Sequence, residues 1–228
     1  MKLQIFVWLA ILAYSHGSPS EMIQIDNGLN RGDWGPPDLC PNASWATSFE
    51  IKYAALGHID DTALTGIRIY CQSSDGTLVG SAISEEATYG DWLDLRSCNA
   101  GEFFDAMRAN VVPEQGDFGD DLGMDNLQMS CSDGVILDGL YGTPALTLEE
   151  ESLKLAREHI VFEGKETEAV HVIINEKEST KDAGEWGSWA FCTTGLRICG
   201  IETRVERDTT LTDDAGVVDL IMYCCSTA

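Results

Sequence analysis

The strongest constraint on the fold of this chain is a threefold internal repeat defined by two sequence motifs, which are called marks here. The first mark is a tryptophan six residues before a cysteine, and it occurs as Trp34–Cys40, Trp92–Cys98 and Trp186–Cys192. The second mark is an aspartate pair whose second member lies ten residues before another cysteine: Asp60-Asp61 with Cys71, Asp120-Asp121 with Cys131, and Asp213-Asp214 with Cys224. Fixed spacing in three copies predicts three versions of one supersecondary unit.

Each copy contains stretches in which apolar and polar residues alternate. A period of two is typical of a half-buried β-strand. The predicted strands are 49–53, 67–71 and 77–79 in the first copy, 103–111, 127–131 and 135–137 in the second, and 198–205 and 220–224 in the third. Asp-Gly follows a predicted strand in each of the first two copies, which predicts hairpins. We therefore expect a single all-β domain over residues 22–228.

The third copy lacks the strand that follows Ser-Asp-Gly in the other two. A short alternating stretch at 22–25 precedes the first copy, and we expect it to fill that place. Pairing both ends of a repeat in one sheet leaves no unpaired strand edge. On this interpretation the repeats span about 28–85, 86–141 and 183–225.

The third copy is also delayed, which places an insertion at about 142–182. Trp34 and Trp92 are 58 residues apart, whereas Trp92 and Trp186 are 94 apart. Leucines between 146 and 160, with Thr147 as a candidate cap, predict a short amphipathic helix. A surface excursion is the simpler interpretation, since loops accept insertions at little cost. A partner-binding element is the alternative.

The first residues predict a signal peptide at 1–17. Lys2 gives a positive start, 3–13 is apolar except for Gln4, and small residues follow. The apolar run is short for a membrane anchor. No second run of membrane length follows, so we expect a secreted, extracellular protein without a membrane partner.

Charge and cysteines limit the partners. The formal net charge is −24, and all eight cysteines follow the predicted signal peptide. Strong acidity argues against nucleic acid, whose phosphates need Lys and Arg, and favours basic partners.

An even number of cysteines in a secreted chain predicts disulfides. No phosphate-binding glycine loop, nucleophile elbow or zinc motif occurs, and we predict no cofactor and no metal.

The repeat resembles the vitelline membrane outer layer protein I family. The segments that carry the resemblance are 60–68, 184–189, 192–200 and the final Tyr223-Cys224-Cys225, within a match over roughly 28–225. The resemblance implies a β-prism: three four-stranded Greek-key sheets around a pseudo-threefold axis. It also implies a mainly structural role in an egg envelope or another secretion. A weak glycan-binding or carbohydrate-transfer activity has been proposed for the family.

Repeat equivalence predicts the disulfides. Cys40 pairs with Cys71 and Cys98 with Cys131, at separations of 31 and 33 residues. Cys192 with Cys224 would be the third copy of this pair, which leaves Cys199 with Cys225. Neighbouring residues on a strand face opposite ways, so Cys224 and Cys225 do not easily share a face. The swapped pair Cys192–Cys225 remains an alternative.

The aspartate pairs are the first candidate site. Calcium binding and glycoside chemistry both need several carboxylates, and the candidates would be Asp60, Asp61, Asp120, Asp121, Asp213 and Asp214. Aspartates in turns also bind nearby backbone N–H groups. We favour this structural role, because a feature of all three copies is more easily a need of the fold than one active site.

Tryptophans and one sequon complete the candidates. We interpret the repeated Trp34, Trp92 and Trp186 as strand and core anchors, since large aromatic side chains usually pack inside. Trp189 has no equivalent in the other copies and is the glycan-binding candidate. Asn42-Ala43-Ser44 is a sequon, which predicts glycosylation at Asn42.

We therefore expect a secreted, disulfide-bonded β-prism that acts as an extracellular structural or matrix protein, with no enzymatic activity. Its partners would be matrix or egg-coat proteins, basic ones among them, and glycans. A glycan-binding module and a weak glycosyl-transfer enzyme are the alternatives.

Overall fold

The alternating stretches form antiparallel β-strands, and several of these strands run longer than the sequence pattern predicts. The computed structural model describes residues 19–54, 63–113, 123–141, 144–145, 184–206 and 216–226. The strands within these ranges are β1 (Glu21–Gln24), β2 (Asp33–Trp34), β3 (Asp38–Leu39), β4 (Ser44–Tyr53), β5 (Leu64–Ser73), β6 (Leu78–Ile83), β7 (Asp91–Trp92), β8 (Arg96–Ser97), β9 (Phe104–Val111), β10 (Met124–Cys131), β11 (Ile136–Asp138), β12 (Pro144–Ala145), β13 (Glu185–Trp186), β14 (Ala190–Phe191), β15 (Leu196–Glu206) and β16 (Gly216–Ser226).

The strands form three antiparallel sheets. Sheet A has the order β1-β16-β15, with β2 and β3 both on the far edge of β15. Sheet B has the order β6-β5-β4, with β7 and β8 on the edge of β4. Sheet C has the order β11-β10-β9, with β13 and β14 on the edge of β9 and β12 added beside β11. Each sheet therefore has four main strand positions, as expected for a β-prism.

Each tryptophan strand pairs with the sheet of the preceding repeat. Trp92 is in register with Lys52 of β4, Trp186 with Asn110 of β9, and Trp34 with Arg204 of β15. The third repeat thus receives its edge strand from the first, so the three repeats interlock in a ring. No sheet is complete without a segment from the next repeat.

The N-terminal stretch closes sheet A, as the sequence predicts. Met22 of β1 pairs with Tyr223 of β16, and Ile23 pairs with Met222. Strand β1 occupies the position that β6 and β11 hold in the other two sheets. The hairpin strand missing from the third repeat is supplied from the other end of the described chain.

The core lies between the sheets and is built from alternate residues of the long strands. Phe49 and Phe104 meet edge to face there, with ring centroids 5.6 Å apart. The predicted inward faces are confirmed, because these residues are buried: Ile67, Ile69, Cys71, Leu127, Met129 and Cys131. Sheet A contributes Ile198, Ile201, Leu220 and Met222 in the same way.

Equivalent irregularities curl the sheets. The pairing register shifts at Thr47 in β4, Asp105 in β9 and Cys199 in β15, which are equivalent positions of the repeat. The carbonyl of each bulge residue accepts a hydrogen bond from the backbone amide of a disulfide-bonded cysteine in another repeat. Thr47 accepts from Cys98, Asp105 from Cys192, and Cys199 from Cys40. A β-bulge bends its strand and increases the local twist.

The four disulfides are the pairs that repeat equivalence predicts. Cys40–Cys71, Cys98–Cys131, Cys192–Cys224 and Cys199–Cys225 have Cα–Cα distances of 5.7, 5.8, 5.9 and 5.8 Å. Cys224 is buried in the core, whereas Cys225 packs with Cys199 in a separate cluster. The opposite orientation of neighbouring strand residues explains why the swapped pair does not form.

One prediction about the interior is wrong. The repeated tryptophans lie on strands as predicted, but none belongs to the core: Trp34 is 37% exposed, and Trp92 and Trp186 are half-buried. The short edge strands carry them over the outer faces of the sheets, where arginine side chains meet their rings.

Several predictions fall outside the described residues. These are the signal peptide at 1–17, the helix in the insertion at 142–182 and the aspartate pairs at 60–61, 120–121 and 213–214. Among the residues that the structure describes, no helix is long and apolar enough to span a bilayer.

Candidate functional site

The outer face of each sheet carries a tryptophan packed against an arginine. The guanidinium carbon lies 4.2 Å from the ring centroid for Arg68 and Trp92 in sheet B. The distance is 5.0 Å for Arg108 and Trp186 in sheet C, and 6.0 Å for Arg204 and Trp34 in sheet A. A cation over an indole face is attracted by the ring quadrupole. These Trp–Arg pairs therefore join each tryptophan strand to the sheet of another repeat.

The three arginines do not occupy equivalent positions of the repeat. Arg68 lies on β5, three residues before Cys71, where the other repeats have Gln128 and Ile221. Arg204 lies on β15, directly in register with its tryptophan. The same contact thus arises from different strands, so it is not visible as a repeated sequence motif.

Sheets A and B share a Tyr–Glu contact on this face. In sheet B, Glu50 accepts hydrogen bonds from Tyr70 Oη at 2.8 Å and from Arg68 Nη1 at 2.7 Å. In sheet A, the Tyr223 hydroxyl donates to Glu202. Burial, together with this hydrogen bond and the charge of Glu202, raises the pKa of Tyr223 to about 12. In both sheets, an acidic side chain therefore accepts the tyrosine hydroxyl on the outer face.

Sheet C is different, because Arg108 stands where the other sheets have Glu50 and Glu202. Its guanidinium lies 5.0 Å from the Trp186 ring and 4.8 Å from the Trp189 ring. Its Nε donates to Gln128 Oε1 at 2.9 Å. The cation is thus held against two indoles and oriented by a side-chain amide.

Trp189 and Phe191 extend this group along the face. Their ring centroids are 6.2 Å apart with an interplanar angle of 38°. Phe191 is 50% exposed, whereas Trp189 is half-buried. We call Arg108, Trp186, Trp189 and Phe191 the sheet C stack. Its most exposed aromatic surface is Phe191, a residue that the sequence did not single out.

The segment that carries the stack is fixed by backbone contacts. The Gly187 amide donates to the Ala109 carbonyl, and the Cys192 amide donates to the Asp105 carbonyl. A Cβ at Gly187 would lie 2.5 Å from Asp26 Oδ1, so a larger residue here would displace the Asp26 side chain.

Two residues that follow β1 also hold the segment that carries the sheet C stack. Asp26 Oδ1 accepts the Ser188 amide at 2.9 Å, and the hydrogen bonds from Ser188 lower the pKa of Asp26. Asn27 Nδ2 donates to the Glu185 carbonyl at 3.0 Å. Trp186 and Trp189 therefore lie on a segment that is held from both sides.

The sheet C stack has the chemistry of a sugar-binding surface. Aromatic faces pack against the apolar faces of pyranose rings, while arginine and amide groups hydrogen-bond hydroxyls. The Trp189 Nε1–H is buried and has no hydrogen-bond partner among the described residues. Within the described part of the chain, no group of three or more His, Cys, Asp or Glu side chains is placed to hold a metal ion.

The structure places the other candidates apart from this stack. Asn42 is exposed in a turn at the start of β4, in sheet B. The aspartate pairs lie outside the described residues, so their calcium and acid–base roles stay predictions. The sequence motifs did not point to Arg108. A repeat alignment could have found it, because Arg108 replaces a glutamate that is common to the other two repeats.

The family model and the similar proteins that match this chain point to the same family. The family model of vitelline membrane outer layer protein I matches residues 21–139 and 163–227. The vitelline membrane outer layer protein 1 homolog of Mus musculus is 26% identical over 234 residues, covering 98% of this chain and 96% of that protein. The homolog of Homo sapiens is 26% identical over 210 residues, covering 90% and 82%. Residues 140–162 lie outside this match, and they overlap the first part of the insertion predicted at about 142–182.

Lectins are among the solved structures with a similar chain course. Artocarpin, solved in complex with Me-alpha-mannose, gives a TM-score of 0.46 at 9% identity, covering 91% of this chain and 99% of that chain. AcmJRL, a mannose-binding jacalin-related lectin from Ananas comosus, gives 0.44 at 13% identity, covering 87% and 93%. These likenesses are too distant to inform function.

Proposed function

Because the chain belongs to the vitelline membrane outer layer protein I family, we propose that it is a secreted structural protein of an extracellular layer. It would act by assembly, as a rigid unit packed with other secreted molecules. The relatives' name refers to the outer layer of the vitelline membrane. A coat or matrix of this kind needs components that keep their shape outside the cell.

The observation that carries this proposal is the closed, cross-linked ring of repeats. Each sheet borrows an edge strand from another repeat, and all eight cysteines are in disulfides. A borrowed strand cannot leave without opening two repeats, and a bridge across a loop of this length stabilises by roughly 2–4 kcal/mol. Local unfolding, which proteases need, is therefore suppressed.

The charge of the chain supports a basic partner in such a layer. The formal net charge is −24, from 38 acidic against 14 basic residues. Charge of one sign speeds association with surfaces of the opposite sign, and salt screens this attraction. We therefore propose that retention in the layer depends on ionic strength.

The test is retention by isolated vitelline membrane outer layers. The secreted, disulfide-intact protein is added to layers stripped of their soluble components, and the bound fraction is measured at rising sodium chloride. We expect binding that is saturable at low salt and falls steeply by 1 M. An acidic protein of similar size and charge from another family is the control. Equal retention of that control, or no retention at all, would count against the structural proposal.

Glycan binding by the sheet C stack is a second candidate. The observation that favours it is the exposed Phe191 beside the Trp189 ring, with Arg108 held beneath. Among the described residues, the arginine of this face contacts a single tryptophan in sheet A, where Arg204 lies over Trp34, and in sheet B, where Arg68 lies over Trp92. A sugar would therefore bind to one of the three faces.

A glycan array with matched tryptophan variants tests this candidate. Trp189→Ala and Phe191→Ala should abolish saturable binding, whereas Trp34→Ala, which opens the Trp–Arg pair of sheet A, should preserve it. Binding that all three variants retain would exclude the stack as the site. Mass analysis of chito-oligosaccharides after incubation tests the enzymatic alternative in the same experiment.

A further inference from the structure

Three equivalent residues of the repeats meet at one end of the prism. Trp45, Phe103 and Arg197 each stand two residues before the bulge of the first long strand. The Trp45 and Phe103 ring centroids are 5.7 Å apart, with the rings edge to face at 86°. The Arg197 guanidinium carbon lies 4.1 Å from the Phe103 centroid and 5.6 Å from that of Trp45. Equivalent residues in mutual contact must surround the pseudo-threefold axis. We call these three residues the end cluster.

The end cluster holds hydrogen-bond donors for which the described residues supply no acceptor. Trp45 is 5% exposed and Phe103 is 4% exposed, while Arg197 is half-buried. The Trp45 Nε1–H is buried and has no partner among the described residues. Within the same part of the chain, the Arg197 guanidinium lies against the Phe103 and Trp45 rings. A buried donor without a partner costs free energy, so the arrangement favours an acceptor supplied from outside.

The position of Arg197 also argues against a role limited to packing. If the axis needed only to be filled, a third aromatic residue would complete the set that Trp45 and Phe103 begin. Arginine instead places a permanent positive charge there, in a chain whose net charge is −24. The overall field repels anions, so any anion bound at this place must be held by local geometry.

We propose that the end cluster is an anion-binding site in which Arg197 takes a carboxylate. A guanidinium presents a planar fork of N–H groups that matches a carboxylate with two parallel hydrogen bonds. The Phe103 and Trp45 rings lie beside the guanidinium and restrict its movement, and the side chain is only half-buried, so that an anion can reach it. The carboxylate can belong to an acidic sugar or to an acidic side chain of a protein, and both offer the same group.

The first experiment uses acetate as the probe on the full, disulfide-intact protein. The ¹⁵N–¹H resonances of the Trp45 indole and the Arg197 Nε are followed during titration, with sodium chloride at matched ionic strength as the control. We expect both resonances to shift and to saturate with acetate but not with chloride. Shifts that are the same for both salts would overturn the proposal.

Two substitutions separate binding from packing. Arg197→Phe completes the aromatic set, so the protein should stay folded while saturable acetate binding is lost. Arg197→Lys keeps the charge but lacks the fork, and acetate binding should weaken by about tenfold. Acetate shifts at Trp45 that persist unchanged in either variant would overturn the assignment.

The natural source is then found with two larger probes. D-Glucuronate carries the carboxylate on a sugar ring, and N-acetyl-L-glutamate carries it on an amino acid. The probe that competes with acetate at the lower concentration identifies the source. Equal competition by both leaves the carboxylate as the whole determinant. These readouts are independent of retention by the egg-envelope layer, so the failure of either proposal leaves the other standing.

Discussion

Ile23, near the start of the described chain, pairs with Met222, near its end. Both side chains are buried in the core, while the neighbouring Met22 is 64% exposed. The pairing joins the two ends of the repeat array in one sheet and closes the ring. Closure removes an edge on β16 that would otherwise be free to pair with another chain.

Truncation of Ile23 should therefore cost much more than truncation of its neighbour. Ile23→Ala removes buried methyl groups and should lower the free energy of unfolding by about 2–4 kcal/mol. Met22→Ala, on the same strand but facing outward, should change it by less than about 0.5 kcal/mol. Denaturant unfolding with the disulfides intact measures both. Equal effects would mean that β1 contributes through its backbone alone.

The Cys199–Cys225 bridge should be dispensable for the fold. Its two positions correspond to Thr47 and Gln72 in the first repeat, which has no such bridge. The double substitution Cys199→Thr with Cys225→Gln copies that repeat and should lower the free energy of unfolding by about 2–4 kcal/mol. Circular dichroism should be unchanged. A variant that fails to fold would show that the third repeat depends on the extra cross-link.

The Trp–Arg pairs should couple according to their geometry. A double-mutant cycle of Trp92→Ala and Arg68→Ala, at 4.2 Å, should give a coupling of about 1 kcal/mol. The matched cycle of Trp34→Ala and Arg204→Ala, at 6.0 Å, should give less than half of that. Similar couplings in both cycles would show that the ring–cation distance does not determine the interaction.

Stability should respond to pH through Asp105. Burial raises the pKa of this carboxyl, and the nearby charges of Asp133 and Glu102 raise it further. The folded protein binds this proton more tightly than the unfolded chain, so the ionised group is destabilising above the folded-state pKa. That cost disappears as the pH falls towards the ordinary value of 3.8. Asp105→Asn should thus raise the free energy of unfolding at pH 7, and the gain should vanish below pH 3.8.

Asp75→Asn is the control, because it should change the free energy of unfolding at pH 7 in the opposite direction to Asp105→Asn. Hydrogen bonds from the Ser73 hydroxyl and the Thr77 amide lower the pKa of Asp75. Its ionised form therefore stabilises the fold above 3.8, and this contribution is lost as the pH falls through the lower folded-state value. The substitution should lower stability at pH 7. Denaturant unfolding at a series of pH values measures both variants, and the same sign for both would contradict the assignment.

Glycosylation at Asn42 should depend on the order of folding events. Ser44 of the sequon is buried, and its Oγ donates to the Pro41 carbonyl at 2.5 Å. Cys40, two residues before Asn42, is tied to Cys71. Once this end is folded, the sequon cannot extend into a transferase. Cys71→Ala should therefore raise the glycosylated fraction, measured by a gel shift on endoglycosidase treatment. Cys131→Ala, which opens the equivalent bridge of the second repeat, is the control and should leave it unchanged.

The sequence by itself determined the repeat, its strands and the inward faces. Alternation at 67–71 and 127–131 fixes which side chains are buried, because successive strand residues point to opposite sides. Cysteine spacing in three copies determined which pairs are equivalent. These properties are local, or are counted along the chain, so no knowledge of distant contacts was needed.

Only the tertiary structure decided what lies on the outer faces and at the end of the prism. The repeated tryptophans are not core residues, because edge-strand exchange carries each of them over an arginine of another repeat. The sheet C stack joins Arg108 and Trp189, which are 81 positions apart in the sequence. The end cluster joins Trp45 and Arg197 across the pseudo-threefold axis. Such contacts depend on how three sheets close around one another, and no periodicity along a single strand contains that information.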